Sequence, residues 1–226
     1  MDTGNSRVQI FTKDGKYKGG FKLDIPPLSI VVDSKGFIYL SFRYPEKNLV
    51  SVYSPEGKEV TSFGELIPYK HKLKQYVYNW CYLTCDKYDN IYVWLHKQPE
   101  FRKYNSNYEL VYSKKIEGPE IERTKKEANK VEKEAPPGGI KSVSYMSDAE
   151  TTEKGDSYVV VSCNAIYHFD ANGNFKERIV IPSHLLFSVL LKKIAVDNNE
   201  AIYSVDVIRE ELIKLCMKDN EPKERR

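Results

Sequence analysis

The chain has 226 residues, with 35 basic and 32 acidic side chains and a net charge of +3, a balance too even to predict a polyanionic partner from charge alone. At 41% hydrophobic and 12% aromatic residues it is long enough for one domain with a substantial core. No run approaches the roughly 20 apolar residues that span a membrane as a helix, and no signal-peptide pattern precedes the first strand; compartment stays open, an extracytoplasmic location being compatible with a natural start upstream.

In chain order, Val8 and Ile10 alternate with Gln9, and Phe11 and Thr12 extend the run in strand-favouring residues. Asp14-Gly15 then supplies the positive φ of a tight turn, and Lys16-Tyr17-Lys18 leads back out, so the opening reads as a β-hairpin. A second unit follows: Ile30-Val31-Val32, a turn at Asp33 to Gly36, and Phe37-Ile38-Tyr39-Leu40. Two hairpins make a four-stranded unit.

Both hairpins recur, and a period of tens of residues decides a fold. The second carries an Asp with Ile-Tyr five and six residues on, at Asp33/Ile38/Tyr39, Asp86/Ile91/Tyr92 and Asp197/Ile202/Tyr203, separated by 53 and then 111 residues. The doubled gap predicts a degenerate copy near residue 141, read as Ile140 to Tyr145 paired with Ser157 to Ser162 and split by a polar insertion, Ser147 to Asp156. In the first hairpin type an aromatic residue precedes a turn glycine by four, at Phe11/Gly15, Tyr53/Gly57 and Phe169/Gly173. Tyr104 with Ser106-Asn107, and Cys216 with Asp219-Asn220, are its divergent copies, since Asn tolerates left-handed backbone. Two alternating hairpin types argue for radial repetition: an all-β propeller of four-stranded antiparallel blades.

The stretch Asp2-Thr3-Gly4-Asn5-Ser6-Arg7-Val8-Gln9-Ile10-Phe11 resembles the signature of NHL repeats, with its Asp, its Asn and an Arg-aliphatic-Gln-aliphatic-Phe strand. Later copies such as Asn48 to Tyr53 keep the Asn and the alternation, while Phe101 to Tyr104 and Ile166 to Phe169 keep alternation only. The resemblance implies a six-bladed β-propeller. Strand counting gives an outer pair, three complete blades, an inner pair and one further strand ending near Met217, about four and a half blades at roughly 40 to 50 residues each. The favoured expectation is an incomplete six-bladed ring, with a closed five-bladed ring as the competitor. An open arc exposes strand edges and predicts self-association.

The division expected is one propeller domain over 1–226, with a charged insertion at 117–139 and a polar tail at 218–226. Within the insertion, Glu120 to Glu134 is rich in Lys and Glu without an apolar stripe; it reads as a mobile segment, or as a solvated helix held by pairs such as Glu122/Lys126. Cys81 and Cys85 fall on one face of a strand, with Cys163 and Cys216 in other blades. No C-x-x-C pair is present, so buried free thiols are expected, not a zinc site or a disulfide framework.

Strand alternation assigns the loops to two sides. The turns after Asp33, Asp86 and Asp197 and those at Gly15, Gly57 and Gly173 share one face; the longer connections lie on the other, at the channel mouth. Loops on a rigid scaffold carry binding residues, so Arg43, Tyr44, Tyr69, Lys70, His71, His96 and Arg209 are the candidate contacts. Pro68 to Tyr76 interleaves cations with aromatics, a composition that suits RNA, as some NHL-like propellers bind it; the near-neutral chain makes nucleic acid the weaker partner. Related propellers also include lyases and lactonases that use His, Asp or Glu, often with a metal. The histidines at 71, 96, 168 and 184 are scattered, with no H-E-x-x-H and no G-x-S-x-G, and His168 falls on an outer strand. No catalytic set, cofactor or metal is indicated. The reading is a binding or sensing scaffold for a protein, peptide or glycan, with a metal-assisted propeller lyase or hydrolase and an RNA-binding propeller as alternatives.

Overall fold

The computed structural model describes residues 1–161, 165–180, 193–197, 200–206 and 211–215. A hairpin of β1 (Arg7–Phe11) and β2 (Tyr17–Lys22) precedes three four-stranded antiparallel meanders. These are β3 (Pro27–Val32), β4 (Ile38–Phe42), β5 (Asn48–Tyr53) and β6 (Glu59–Glu65); β7 (Cys81–Cys85), β8 (Ile91–Leu95), β9 (Glu100–Tyr104) and β10 (Leu110–Lys115); and β11 (Met146–Thr151), β12 (Ser157–Val161), β13 (Ala165–Phe169) and β14 (Phe175–Val180). A three-stranded sheet of β15 (Ile194–Val196), β16 (Ile202–Asp206) and β17 (Glu211–Leu215) follows. The first strands of successive sheets lie side by side, β3 against β7, β7 against β11 and β11 against β15. Sheets arranged radially about their first strands are blades, and the described residues form an incomplete β-propeller.

The core is a stack of layers between blades, which explains why the second strands read as unbroken apolar runs. Along β8, Ile91, Val93 and Leu95 pack towards Leu49, Val50 and Leu83 of the preceding layer, while Tyr92 and Trp94 pack towards Phe101, Val159, Val161 and Phe169 of the next. With both faces covered, period-2 polarity disappears. The same division recurs at β12, where Val159 and Val161 serve one layer and Tyr158 and Val160 the other.

The repeat signature is a turn. In the hairpin joining β3 to β4, Asp33 N donates to Phe37 O at 3.1 Å and Gly36 N to Asp33 O at 3.1 Å, with Gly36 at φ 85°. The corresponding pair of backbone bonds closes the turns at Thr12 to Lys16, Ser54 to Lys58, Asp86 to Asn90, Asn105 to Glu109, Thr152 to Asp156, Asp170 to Asn174 and Asp197 to Ala201. A left-handed residue is required at the fourth position, hence Gly15, Gly57, Gly155 and Gly173, with Asp89, Tyr108 and Glu200 as non-glycine versions. In the inner hairpins the leading Asp does more. Asp33 Oδ1 accepts from Phe37 N at 2.8 Å and its Oδ2 from Tyr39 Oη at 3.1 Å; Asp86 accepts from Tyr92 Oη at 3.1 Å and Asp197 from Tyr203 Oη at 2.9 Å. The Asp-to-Tyr spacing is therefore a structural lock.

Three readings of the sequence need correction. Ile140 to Tyr145 forms no strand; the first strand of that blade is β11, which starts at Met146 and runs through the first half of the stretch read as a polar insertion. Its polar residues are satisfied across blade boundaries: Asp148 Oδ2 accepts from Ile194 N at 2.8 Å, and Thr151 Oγ1 lies 2.6 Å from Thr84 Oγ1. The register Thr151 to Ser157 makes Thr152 and Tyr158 the degenerate copy of the Asp and Tyr. In the β9 to β10 turn the left-handed residue is Tyr108, φ 68°, not Asn107. Finally, the charged segment takes its helical alternative, α2 (Pro119–Lys133), anchored by fully buried Ile121. Glu122 pairs with Lys125 at 2.5 Å, three residues away and not four.

The N-terminus of α2 is fastened to the outside of a blade. Glu120 receives Tyr167 Oη at 2.7 Å and Arg178 through Nε at 2.9 Å and Nη2 at 2.5 Å, and these bonds, led by Arg178, hold its carboxyl down to about 2. At the other end, Glu132 accepts from the Tyr78 hydroxyl and from Lys74 Nζ at 3.3 Å, joining α2 to α1 (Lys72–Tyr78). No described helix is long and apolar enough to cross a membrane.

Candidate functional site

The two faces differ in kind. One carries the repeated short turns; the other carries the long connections, including both helices. Two concave regions bring charged and aromatic side chains together, one among those connections and one among the first strands.

The first is a shelf around α1. Tyr69 N donates to Gln75 Oε1 at 3.1 Å and Gln98 Nε2 to Tyr69 Oη at 2.5 Å, which fix the loop before the helix. Lys74 Nζ lies over the rings of Tyr69 and Tyr78, 5.5 and 4.9 Å from their centroids, and Lys72 Nζ lies 5.5 Å from the centroid of Tyr76. Contact with Tyr76, and then the charge of Glu46 at 3.9 Å, raises the pKa of Lys72, so its ammonium persists. Tyr44 packs edge-on to Tyr76 at 5.5 Å. Pro45, Glu46, Tyr69, Lys70, Lys72, Gln75 and Tyr76 enclose a cleft of about 410 Å³, inside the range of roughly 300 to 1,000 Å³ usual for small-molecule sites.

The second lies where the first strands converge. A cleft of about 480 Å³ is lined by Ser29 and Val31 of β3, Tyr82 and Cys85 of β7, Asp148 and Glu150 of β11, and Lys193 beside β15. Alternation along β11 places Asp148 and Glu150 on one side of the strand. Lys193 Nζ pairs with Asp148 Oδ1 at 2.8 Å and lies 5.1 Å from the Tyr82 centroid. Burial, reinforced by the Asp148 charge, raises Glu150 to about 7. Nearby, His96 is held between the rings of Trp80 and Tyr82, with centroids 6.5 and 5.1 Å away. Burial, then the charges of Lys97 and Lys193, lowers His96 to about 4, so the imidazole is neutral at pH 7, and its Nδ1 has no partner among the described residues.

Of the sequence candidates, Tyr69 and Lys70 line the shelf cleft, Tyr44 packs on its wall, and exposed His71 stands at the start of α1 without a side-chain cap bond. Arg43 is exposed, and its carbonyl accepts from Trp80 Nε1 at 2.7 Å. His96 packs instead between Trp80 and Tyr82, behind the lining of the second cleft, and Arg209 lies outside the described residues, as do His184, Cys163 and Cys216. Sequence reasoning missed Glu46, Asp148, Glu150 and Lys193; the i,i+2 spacing of Asp148 and Glu150 was the available signal, hidden by assigning β11 to a loop. Cys81 is buried, Cys85 is half-buried, and both are free thiols. Burial pushes Cys81 up to about 12 and Cys85 to about 11, the opposite of an activated nucleophile. His168 lies on β13, stacked on Tyr158 at 4.4 Å, with Nε2 3.3 Å from Asp156 and Nδ1 3.2 Å from Glu177. Among the described residues no group of three His, Cys, Asp or Glu side chains is placed to hold a metal ion.

No family model matches the chain, and no curated protein matches its sequence. Solved structures do. A streptogramin B lyase superposes with a TM-score of 0.61 at 13% identity, over 95% of this chain and 63% of that one. Virginiamycin B lyase from Staphylococcus aureus gives 0.59 at 12% identity, over 94% and 64%, and a protein of unknown function from Bacteroides caccae gives 0.58 at 12% identity, over 97% and 68%. The chain thus spans about 63% of the length of the streptogramin B lyase, and at these identities the likeness establishes a shared fold, the β-propeller.

Proposed function

We propose that the chain is a non-catalytic binding scaffold of the NHL-like, six-bladed type, engaging a protein, peptide or glycan through its long-loop face. The observation that carries this reading is the shelf cleft, where rings, amide and ammonium groups converge on one concavity held by α1. Such convergence on a hollow is the general mark of a ligand site, whereas the cleft of about 560 Å³ beside the turns at Gly36 and Pro55 is lined mostly by apolar residues and glycines, with Lys18 and Glu56 as its charged side chains. The test is to screen immobilised peptides and glycans, then map any binder by hydrogen exchange. Protection at residues 43–47 and 69–78, with at least about tenfold weaker binding by Tyr76→Ala at unchanged Tm, is expected. A binder that maps to the turns at Gly36, Asp89 and Gly155 overturns the reading.

A second reading, a propeller lyase or hydrolase at the channel mouth, is favoured by Glu150, whose pKa of about 7 suits a general base. The similar structures include enzymes named for streptogramin B and virginiamycin B. Incubation with quinupristin, the compound present in a similar structure of catalytically inactive virginiamycin B lyase, followed by mass spectrometry, tests it: product formation abolished by Glu150→Gln establishes this reading over the scaffold.

A further inference from the structure

We propose that the shelf cleft binds an acidic saccharide, an oligosaccharide containing uronate units; this rests on the binding reading above and names its ligand class. Two features of the cleft point in different directions, and one ligand chemistry reconciles them. Lys70 and Lys72 line it, and Lys47 lines the adjoining hollow that shares Pro45 and Glu46 with it, which favours an anion. Yet Glu46 also lines it, exposed, its Oε1 accepting from Tyr76 Oη at 3.3 Å and lying 3.9 Å from Lys72 Nζ. A carboxylate in the wall repels a simple anion, whereas it accepts hydrogen bonds from hydroxyl groups, as does the tyrosine oxygen beside it. A ligand bearing carboxylates and many hydroxyls satisfies both halves: its carboxylate meets the lysines and its hydroxyls meet Glu46 and Gln75.

Nucleic acid fits less well. Base recognition by single-strand binders needs open ring faces, but Lys72 sits over Tyr76 while Lys74 sits over Tyr69 and Tyr78. Lys74 is also tied to Glu132 at 3.3 Å. Each of these three rings thus already holds an ammonium group over one face.

Isothermal titration of the whole chain with tetragalacturonate, its methyl ester, cellotetraose and a single-stranded RNA tetramer tests the proposal. Expected is binding of tetragalacturonate, weakened at least about tenfold by methyl esterification and by the double variant Lys70→Ala, Lys72→Ala, and weakened by Glu46→Ala despite the removal of a negative charge. The ester comparison uses the unaltered protein, so it holds even if a variant misfolds. Tighter binding after Glu46→Ala, equal binding of the ester, preference for RNA, or no binding at millimolar ligand overturns it. If tetragalacturonate fails while a peptide or neutral glycan binds and maps to residues 69–78, only the ligand class falls; if nothing maps there, the scaffold reading falls with it.

Discussion

Thr152 and Tyr158 occupy the positions that Asp33 and Tyr39 fill in the first complete blade, yet neither Thr152 Oγ1 nor Tyr158 Oη has a hydrogen-bond partner among the described residues. Tyr158 is fully buried, and a buried hydroxyl without a partner costs about 1 to 3 kcal/mol. Thr152→Asp should therefore restore the lock seen at Asp33 and raise stability by about 1 kcal/mol, the gain being limited by the negative charges of Asp156, Glu177 and Glu200 around Tyr158. Thermal melts check it, with Tyr158→Phe in the same background as control. An unchanged or lower Tm for Thr152→Asp refutes the inferred vacancy of the lock.

The intact locks are unequal. Asp86 is buried and accepts from Tyr88 N at 2.9 Å, Asn90 N at 3.1 Å and Tyr92 Oη at 3.1 Å, with Lys103 Nζ at 3.8 Å. Asp33 makes similar bonds in a half-buried turn that water reaches. Asp86→Ala is expected to cost about 3 kcal/mol or more, and Asp33→Ala about 1 to 2, because solvent can replace the second carboxylate and not the first. Urea midpoints at constant m rank them; equal losses would mean that the locks contribute through backbone bonds alone.

Two glutamates give stability opposite pH slopes in different windows. Glu120 is held at about 2 by Arg178 and Tyr167, below its ordinary 4.5, so its contribution is present above pH 4.5 and is lost as pH falls towards 2. Glu150 is raised to about 7 by burial and Asp148. The folded state then holds a proton that the unfolded chain releases, and stability declines as pH rises from about 4.5 to 7. Glu120→Gln should flatten the acid limb, and Glu150→Gln should remove the decline towards neutrality and leave the variant the more stable at pH 8. Urea titrations at pH 3, 5 and 8 separate the two; a Glu150→Gln variant less stable at pH 8 contradicts the assigned shift.

Much of the fold was legible because the turns are chemical. Asp14-Gly15 and the Asp33-to-Tyr39 spacing announce hairpins whose geometry requires those residues, and their periodicity yields blades. The failure at β11 has the same root. There Met146 to Thr151 carries Ser147, Asp148 and Glu150, and Asp148 and Thr151 find partners in the neighbouring blades, at Ile194 N and Thr84. A single sequence does not display such partners. Ile121 likewise is the one buried hydrophobic residue in a charged helix, too little to write a stripe, yet enough with Glu120 to seat it. The site was half visible: Tyr69 and Lys70 stood out by composition, whereas Lys193 belongs to the blade after that of Asp148 and Glu150 and meets them only in the fold.

Left-handed backbone supplies a last contrast, between two non-glycine residues in equivalent turns. Glu200 at φ 62° is exposed, while Tyr108 at φ 68° is half-buried and stacks on Phe63 at 5.2 Å and 21°. Replacing either by Gly removes roughly 1 kcal/mol of backbone strain. For Glu200→Gly no packing contact among the described residues opposes that relief, only the entropy of the unfolded chain, so a gain of up to about 0.5 kcal/mol is expected. Tyr108→Gly also loses the stacked pair, about 1 kcal/mol, and the buried part of the ring, about 1 to 2 kcal/mol, which together exceed the strain. Its net effect is a loss of about 1 to 2 kcal/mol. Opposite signs in paired thermal melts are the expected result; a stabilised Tyr108→Gly would show that strain outweighs aromatic packing at this turn and that Tyr108 is held there for contacts beyond the blade.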